Sequence, residues 1–253
     1  MIIDGKRIAE EIYGSLQLPR PLTLGILVGA ENPVTDSFVR IKEKAAARLG
    51  VTLVRHEIAK DATTERAVAG VAELVGSTDG IIVQLPLPHG IEVETVLAAI
   101  PPEKDVDGIS PHPKVRPPVA EAVGEILVRA GIDPHGKKAA VVGSGRLVGA
   151  PVAALLANLG ADVHVLTLGD SLDGLKEADI IVSGAGKPGL IQPEYVREGA
   201  VLVDAGTSES EGKVIGDADP ACADKASVFT PVPGGVGPIA VAMIFKNLVE
   251  LAK

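Results

Sequence analysis

A lysine and an aromatic ring four residues apart could form a proton-transfer group beside a stacking surface. The stretch DSFVRIKEK, residues 36–44, has a helical pattern, so Phe38 and Lys42 share one face of the predicted helix. A lysine amine in a suitable environment can give or accept a proton, and the ring can stack on a flat substrate. The alternative is a solvated Lys42 above a core Phe38, and this stretch alone leaves both interpretations open.

Polar side chains also follow a predicted strand and lie in a proline-rich loop. VQLPLPHG, residues 83–90, runs from an apolar strand into Gln84, and a polar side chain at the carboxyl end of a parallel strand faces the usual ligand crevice. In KDVDGISP, residues 104–111, a rigidly held Asp105 or Asp107 could accept two N–H donors from an amino-heterocycle. An ordinary strand-to-loop turn and an aspartate that caps a backbone turn are the alternatives.

A glycine-rich turn lies in VVGSGRLVGAP, residues 141–151. A strand, a glycine turn and a helix would place free backbone N–H groups and the positive helix end against a phosphate. The spacing is G-x-G-x-x-x-G, which differs from the usual dinucleotide fingerprint. A tight turn with glycines required only for packing is the alternative. A second stretch, TPVPGGVGPIAVA (230–242), could put bare backbone against a flat ligand, or could be a plain linker.

Alternating strands and helices must position these residues. Apolar, β-branched runs predict strands at 22–29, 51–58, 80–85, 139–143, 161–166, 179–184 and 200–206. Helical patterns occur at 5–16, 33–49, 63–76, 91–99, 119–131, 147–159 and 237–252. This alternation predicts an α/β protein with parallel sheets covered on both faces. The proline-rich segment 101–118 shows little periodicity and reads as a loop between two halves.

Composition excludes several classes of function. The net charge of −9 argues against a nucleic-acid binder, which would need a basic face. The single cysteine, Cys222, allows no intramolecular disulfide and fits a reducing compartment, and the five histidines show no paired spacing for a metal. No apolar run reaches membrane-spanning length, and the polar N-terminus does not resemble a signal peptide. We expect a cytoplasmic protein with no metal, no membrane partner and no nucleic-acid partner.

Taken in order, these motifs resemble the bifunctional 5,10-methylenetetrahydrofolate dehydrogenase/cyclohydrolase family. The resemblance covers nearly the whole chain. It is carried by IIDGKRIAEEI, the helix with Lys42, VQLPLP, KDVDG, the VGAP turn at 148–151, ADIIVSGAGKPG, GAVLVDAG and TPVPGGVGP. It implies oxidation of the methylene form with NADP or NAD, followed by hydrolysis of the methenyl form to 10-formyltetrahydrofolate.

The resemblance also implies roles for residues and domains. Its catalytic residues fall on Lys42, Gln84 and Asp107, and its substrate-binding residues on Phe38, Pro233, Gly234 and Gly235. Its cofactor-binding residues fall on Gly143, Ser144, Gly145, Arg146, Val148, Gly149 and Thr207. It implies two α/β domains around a cleft: a folate-binding catalytic domain (1–115 plus 237–253) and a Rossmann-like dinucleotide-binding domain (118–231). It further implies a homodimer and a folate substrate that carries polyglutamate.

Several departures from the family pattern bear on activity. Phe38 stands where the family usually has tyrosine, so the ring remains and the hydroxyl is lost. The loop between Gly108 and Pro117 is much shorter, RPPVAEA (116–122) replaces a threonine-containing segment, and Ala240 stands where a hydroxyl residue is common. A folate-binding module that has lost one or both activities is therefore an alternative. A small-acid or amino-acid dehydrogenase of similar architecture is a third possible function, and the segment PVPGGVGP disfavours it.

The charge near the glycine turn bears on cofactor choice. Ser144 replaces a family arginine suited to a 2′-phosphate, and Asp170 follows the next strand where many members have cations. A carboxylate near this strand end suits an unphosphorylated ribose. With Arg146 as the cation left in the turn, we expect weak discrimination or a preference for NAD.

Overall fold

The computed structural model describes residues 1–29, 33–210 and 213–253. The chain divides into two compact units, which we name after their main sheets. The three-stranded unit comprises Glu11–Pro118 and Val241–Lys253, and the five-stranded unit comprises Met1–Glu10 and Val119–Ala240. The first ten residues, which the sequence analysis assigned to the first domain, thus group with the second half of the chain.

Seven α-helices and ten strands occur in the described residues. The helices are α1 (Gly5–Ser15), α2 (Pro33–Leu49), α3 (Thr64–Ser77), α4 (Val93–Ala98), α5 (Pro118–Arg129), α6 (Gly149–Asn158) and α7 (Val236–Leu251). The strands are β1 (Thr23–Gly29), β2 (Thr52–Ile58), β3 (Gly80–Val83), β4 (Lys138–Val142), β5 (Asp162–Leu166), β6 (Ile180–Ser183), β7 (Val201–Asp204), β8 (Ser208–Ser210), β9 (Lys213–Ile215) and β10 (Val228–Phe229).

The three-stranded unit is a parallel sheet in the order β2-β1-β3. The central strand β1 is almost wholly buried, as its continuous apolar run predicts for a strand covered on both faces. One covering layer includes the buried Phe245 of α7 and Val39 of α2, and the other includes Leu74 of α3. Helix α3 starts after Thr63, whose hydroxyl accepts a hydrogen bond from the Arg66 N–H at 3.3 Å.

The five-stranded unit is a parallel sheet in the order β10-β7-β6-β4-β5. From β4 the chain first continues to β5 on one side and then returns to β6 on the other. The strand order therefore reverses between β4 and β6, and in such sheets ligands bind outside the carboxyl ends of the strands at this point. A short antiparallel hairpin of β8 and β9 follows β7.

The prediction of an α/β protein with parallel sheets is confirmed, and the sheet of the five-stranded unit is Rossmann-like. The sequence analysis did not predict β8, β9 and β10, because segments of two or three residues are too short to show a hydrophobic period. No helix in the described part of the chain combines the length and apolar character that a membrane crossing requires.

Candidate functional site

Lys42 and Gln84 are in direct contact in the three-stranded unit. Lys42 lies in the third turn of α2 and is only 9% exposed, and Gln84 directly follows β3. The Lys42 Nζ donates a hydrogen bond to the Gln84 Oε1 at 2.6 Å. The backbone of Gln84 is held in place because its N–H donates to the Leu27 carbonyl of β1 at 2.9 Å. The end of the sheet thus fixes the partner of a buried lysine.

Backbone pairing fixes the loop that carries Asp107 to the same sheet. Ile81 N–H of β3 donates to the Lys104 carbonyl at 2.7 Å, and Lys104 Nζ donates to the Val75 and Thr78 carbonyls at 2.5 and 2.6 Å. The fully buried Asp105 accepts a hydrogen bond from the Ser110 N–H at 2.7 Å. These contacts make the loop a rigid continuation of the core rather than a solvated linker.

Electrostatics couples Asp107 to Lys42. Asp107 is half-buried, and desolvation raises the pKa of its carboxyl to about 6. The Lys42 ammonium opposes this rise in the Asp107 pKa, whereas Asp105 adds to it. Desolvation likewise lowers the pKa of Lys42, and Asp107 offsets part of that change. A lysine amine with a lowered pKa can exchange protons nearer neutral pH than a solvated lysine can.

The burial of Phe38 and Lys42 disagrees with the alternative interpretation, in which Phe38 is in the core and Lys42 is solvated. Phe38 lies one helical turn before Lys42 on α2, and it is 39% exposed whereas Lys42 is buried. A core Phe38 beneath a solvated lysine would show the reverse. The exposed ring is therefore available for stacking.

The backbone of the glycine turn between β4 and α6 is very closely packed. Gly143 has a φ of +99°, and a Cβ added to Gly149 would lie 2.0 Å from the Gly143 carbonyl oxygen, so neither position tolerates a side chain. Ser144, Gly145 and Arg146 are exposed, and Val148 is half-buried. Gly149 begins α6, so the turn runs into a helix N-terminus, which favours an anion.

The remaining predicted residues lie in two other loops of the five-stranded unit. Thr207 is exposed and follows β7. Gly234 has a φ of +108° and accepts a hydrogen bond from the Gly5 N–H at 2.9 Å, and a Cβ added to Gly5 would lie 1.8 Å from the Gly235 carbonyl oxygen. Pro233 is exposed beside them. The PVPGG loop therefore packs tightly on the start of α1 rather than being a plain linker.

Asp170 is held by its own turn just beyond β5. Its carboxylate accepts hydrogen bonds from the Thr167 N–H at 2.7 Å and the Thr167 hydroxyl at 2.9 Å. These bonds lower the pKa of Asp170, so the group is anionic at neutral pH. A fixed negative charge stands at the strand end next to the glycine turn.

The structure thus brings Lys42, Gln84 and Asp107 together in one unit, with Phe38 on the same helix face as Lys42. The glycine turn, Thr207 and the PVPGG loop belong to the other unit. Sequence reasoning missed Asn247, whose amide donates to the Val106 and Arg116 carbonyls at 2.9 and 3.0 Å. Its position within an apolar helix, where a buried polar residue is unusual, was a usable signal.

Sequence reasoning also missed Asp217, which is fully buried and accepts several hydrogen bonds in the five-stranded unit. Its neighbours in the sequence, GDAD, look like an ordinary polar turn, so no local signal distinguishes it. Among the described residues, no group of three or more His, Cys, Asp or Glu side chains could hold a metal ion.

Two family models match the two halves of the chain. The tetrahydrofolate dehydrogenase/cyclohydrolase catalytic domain matches residues 3–107, and the tetrahydrofolate dehydrogenase/cyclohydrolase NAD(P)-binding domain matches residues 117–253. The bifunctional protein FolD of Methanoculleus marisnigri is 40% identical over 276 residues, which cover 100% of this chain and 96% of that protein.

Two solved structures superpose on this chain over its whole length. The Trypanosoma brucei methylenetetrahydrofolate dehydrogenase-cyclohydrolase, solved with NADP and an inhibitor, superposes with a TM-score of 0.94 at 34% identity and covers 100% of this chain and 97% of its own. The Campylobacter jejuni FolD enzyme gives a TM-score of 0.93 at 31% identity, covering 100% and 98%. The chain belongs to the tetrahydrofolate dehydrogenase/cyclohydrolase family.

Proposed function

We propose that this chain oxidises 5,10-methylenetetrahydrofolate to the methenyl form and hydrolyses the methenyl form to 10-formyltetrahydrofolate. The observation that carries the proposal is the hydrogen bond of 2.6 Å from the buried Lys42 Nζ to the Gln84 Oε1, beside Asp107. A buried amine held by a neutral amide and coupled to a carboxylate suits proton transfer in a dry site.

The glycine turn fits a nicotinamide dinucleotide. A Cβ on Gly149 would lie 2.0 Å from the Gly143 carbonyl oxygen, so the turn packs the start of α6 directly against the backbone of Gly143. We assign the pyrophosphate to this turn, residues 143–149, and the neighbouring ribose and nicotinamide to the strand ends beside it, near Thr207. The bound nicotinamide supplies a hydride acceptor.

Oxidation of the folate depends mainly on positioning. The reacting methylene group loses a hydride, so no side chain needs to remove a proton from that carbon. Asp107, as a carboxylate, accepts hydrogen bonds from two N–H donors on the edge of the pterin ring. Phe38 supplies an exposed ring for the flat part of the substrate. The assignment of Pro233, Gly234 and Gly235 to the substrate rests on the family resemblance.

Hydrolysis requires proton movement, and Lys42 is the group that performs it. Water adds to the methenyl carbon, a proton leaves that water, and a proton reaches the nitrogen that departs when the ring opens. The lowered pKa of Lys42 lets the amine accept and return such a proton. Gln84 orients the amine, because its Oε1 accepts a hydrogen bond from the Lys42 Nζ.

A two-wavelength assay tests the function. The protein is given methylenetetrahydrofolate with NAD or NADP, and the reduced cofactor and the methenyl form are followed by their absorbance. We expect the reduced cofactor to accumulate, while the absorbance of the methenyl form first rises as it is produced and then falls as it is hydrolysed. Binding of folate without either signal would support the alternative of a module without catalysis.

The cofactor preference is weak or favours NAD. Asp170 fixes a negative charge beyond β5, and Ser144 supplies no cation for a 2′-phosphate. The ratio of kcat/KM for the two cofactors measures this. A preference for NADP above about 100-fold, roughly 2.7 kcal/mol of differential stabilisation, would contradict it and direct attention to Arg146.

The assignment of domains and assembly is part of the same proposal. The family resemblance assigns residues 1–115 plus 237–253 to the folate-binding catalytic domain and residues 118–231 to the dinucleotide-binding domain, whereas by their contacts residues 1–10 group with the five-stranded unit. The family resemblance supports a homodimer in the cytoplasm that acts on folates with polyglutamate tails. Light scattering should give twice the chain mass of 25.8 kDa.

A further inference from the structure

A buried carboxylate organises the loop that follows β6. Asp217 is fully buried, and its Oδ2 accepts hydrogen bonds from the Ser183 hydroxyl at 2.6 Å and from the Ala185 and Gly186 N–H groups at 2.8 and 3.2 Å. Its Oδ1 accepts one from the Lys187 N–H at 2.6 Å. Four donors from residues 183–187, which we call the β6 loop, thus converge on one side chain.

The β6 loop packs against the glycine turn. Strands β4 and β6 are neighbours, so the segments that follow them lie side by side at the carboxyl ends of the sheet. A Cβ added to Gly143 would lie 2.9 Å from the Gly184 oxygen, and a Cβ added to Gly184 would lie 2.3 Å from Val148 Cγ1. A movement of the β6 loop would therefore also move the glycine turn, because the two segments are in direct contact.

The same carboxylate supports the loop that follows β7. A Cβ added to Gly206 would lie 2.1 Å from Asp217 Cγ, so Gly206 rests directly on this side chain. Asp204, at the end of β7, accepts hydrogen bonds from the Gly206 and Ala218 N–H groups at 2.9 and 2.8 Å. Asp217 therefore lies beneath two adjacent loops, and the second of these leads to Thr207.

A charge buried in this way is costly unless its hydrogen bonds are complete. Here three consecutive N–H groups of the β6 loop are turned inward, while Ala185, Gly186 and Lys187 remain exposed on the outer side. The shape of the outer surface is thus set by the anion beneath it. If this region only had to be stable, apolar side chains of similar volume would serve as well as a buried carboxylate.

We propose that Asp217 is a positioning residue for the nicotinamide cofactor: it fixes the β6 loop and supports the β7 loop, so that both border the glycine turn in a binding-competent shape. The inference rests on the proposed function, because it requires a dinucleotide at residues 143–149. Asp217 acts through backbone groups and does not itself touch the ligand.

The test is Asp217→Asn, which keeps the size of the side chain. Because both carboxylate oxygens accept N–H groups, either orientation of the amide turns its NH₂ toward a backbone N–H. We expect the KM for the nicotinamide cofactor to rise by about 10–100-fold, the range for loss of charged or supporting hydrogen bonds. Hydrolysis of methenyltetrahydrofolate should change less than about twofold, because that step uses no cofactor.

Asp219→Asn is the matched control. Asp219 lies two residues further along the chain, and its carboxylate accepts a hydrogen bond from the Ala221 N–H at 2.8 Å, which an asparagine oxygen can also accept. Its cofactor KM should equal that of the unaltered protein. Circular dichroism and the midpoint of urea unfolding identify variants that have lost their fold.

The outcomes separate the two ideas. If the unaltered protein reduces neither cofactor, the proposed function fails. If it is active but Asp217→Asn keeps its cofactor KM within about twofold, or if both activities fall together in folded protein, the positioning role is overturned. Should Asp217→Asn not fold, Ser183→Ala, which removes one donor, decides: a cofactor KM raised about threefold or more with unchanged hydrolysis supports the role, and an unchanged KM overturns it.

Discussion

Lys42 combines a buried amine, a fixed neutral partner and a nearby carboxylate, and each of these has a separate physical source. The amine is buried because α2 lies against the sheet, Gln84 is fixed by β1, and Asp107 is held by its own loop. Lysine side chains in the described chain that lie on the surface, such as Lys44 two residues further on α2, have none of this enclosure. The functional interpretation of Lys42 thus depends on its surroundings rather than on its type.

Replacement of Lys42 by methionine should separate the two reactions. Lys42→Met keeps much of the stem but removes the ammonium, so hydrolysis should fall by about 10²–10⁴-fold, the usual cost of losing a general acid or base. Hydride transfer should fall far less, because it moves no proton from the substrate carbon. Both rates are measured by absorbance, with Lys44→Met as the control on the exposed face. Equal loss of both activities in folded protein would leave Lys42 as a substrate-positioning group only.

The ring of Phe38 gives a complementary prediction. Because Phe38 is 39% exposed, Phe38→Tyr places its hydroxyl toward solvent rather than in the core, and stability should change by less than about 0.5 kcal/mol. The hydroxyl is one helical turn from Lys42 and can bridge to water, so we expect a hydrolytic rate raised several-fold, roughly 1 kcal/mol of barrier, with hydride transfer unchanged. An unchanged hydrolytic rate would show that the hydroxyl plays no part in proton relay in this chain.

The carboxyl of Asp107 should make both stability and folate binding depend on pH. Its folded pKa of about 6 lies above its ordinary value of 3.8, so the folded state binds the proton more tightly. The resulting stabilisation is present below pH 3.8 and is lost as the pH rises through 6. Asp107→Asn removes this dependence, so its stability relative to the unaltered protein should rise by up to roughly 3 kcal/mol between pH 3.5 and pH 7.5.

Urea unfolding of both proteins at the two pH values measures this difference. Asp204, whose pKa desolvation also raises to about 6, is present in both proteins and cancels. The KM for folate should rise in the unaltered protein as the pH falls below 6, because the neutral carboxyl accepts N–H donors less well. A stability difference that does not change with pH would mean that Asp107 is not desolvated in solution.

Individual helices and strands were predictable from the sequence to a much greater degree than the contacts between them. The run GIIVQL predicted β3 because its apolar residues are buried on both faces, and the period of 33–49 predicted α2. Asn247 and Asp217 were not predicted because their partners are distant in the chain. Asn247 bonds to residues more than 130 positions away, and no local period encodes such a contact.

The C-terminal helix α7 should support the short loop that carries Asp107. Asn247 binds carbonyls on both sides of that loop, and a Cβ added to Gly108 would lie 2.7 Å from the Val115 oxygen, so the loop is closely packed. Asn247→Leu keeps the volume but removes both donors. We expect the KM for folate to rise by about tenfold in both reactions, with the cofactor KM unchanged as an internal control. A rise in neither KM would limit Asn247 to stability.

The net charge of the whole molecule makes one further prediction about its substrates. The chain carries a net charge of −9, and both the dinucleotide and a polyglutamate folate are anions. Like charges slow encounter at low salt, and the range of this repulsion falls from about 30 Å at 0.01 M to about 8 Å at 0.15 M ionic strength. We therefore expect kcat/KM for the folate to rise by about two- to fivefold over this range, and more for a pentaglutamate than for a monoglutamate.

The pentaglutamate is the sensitive probe because each added glutamate contributes another carboxylate to the repulsion, while the reacting end of the molecule stays the same. Initial rates at the two ionic strengths, with chloride and acetate salts compared to exclude specific anion binding, give the ratio. A fall of kcat/KM with salt for the pentaglutamate alone would contradict the prediction. It would mean that a local group of cations outweighs the charge of the whole protein and attracts the tail.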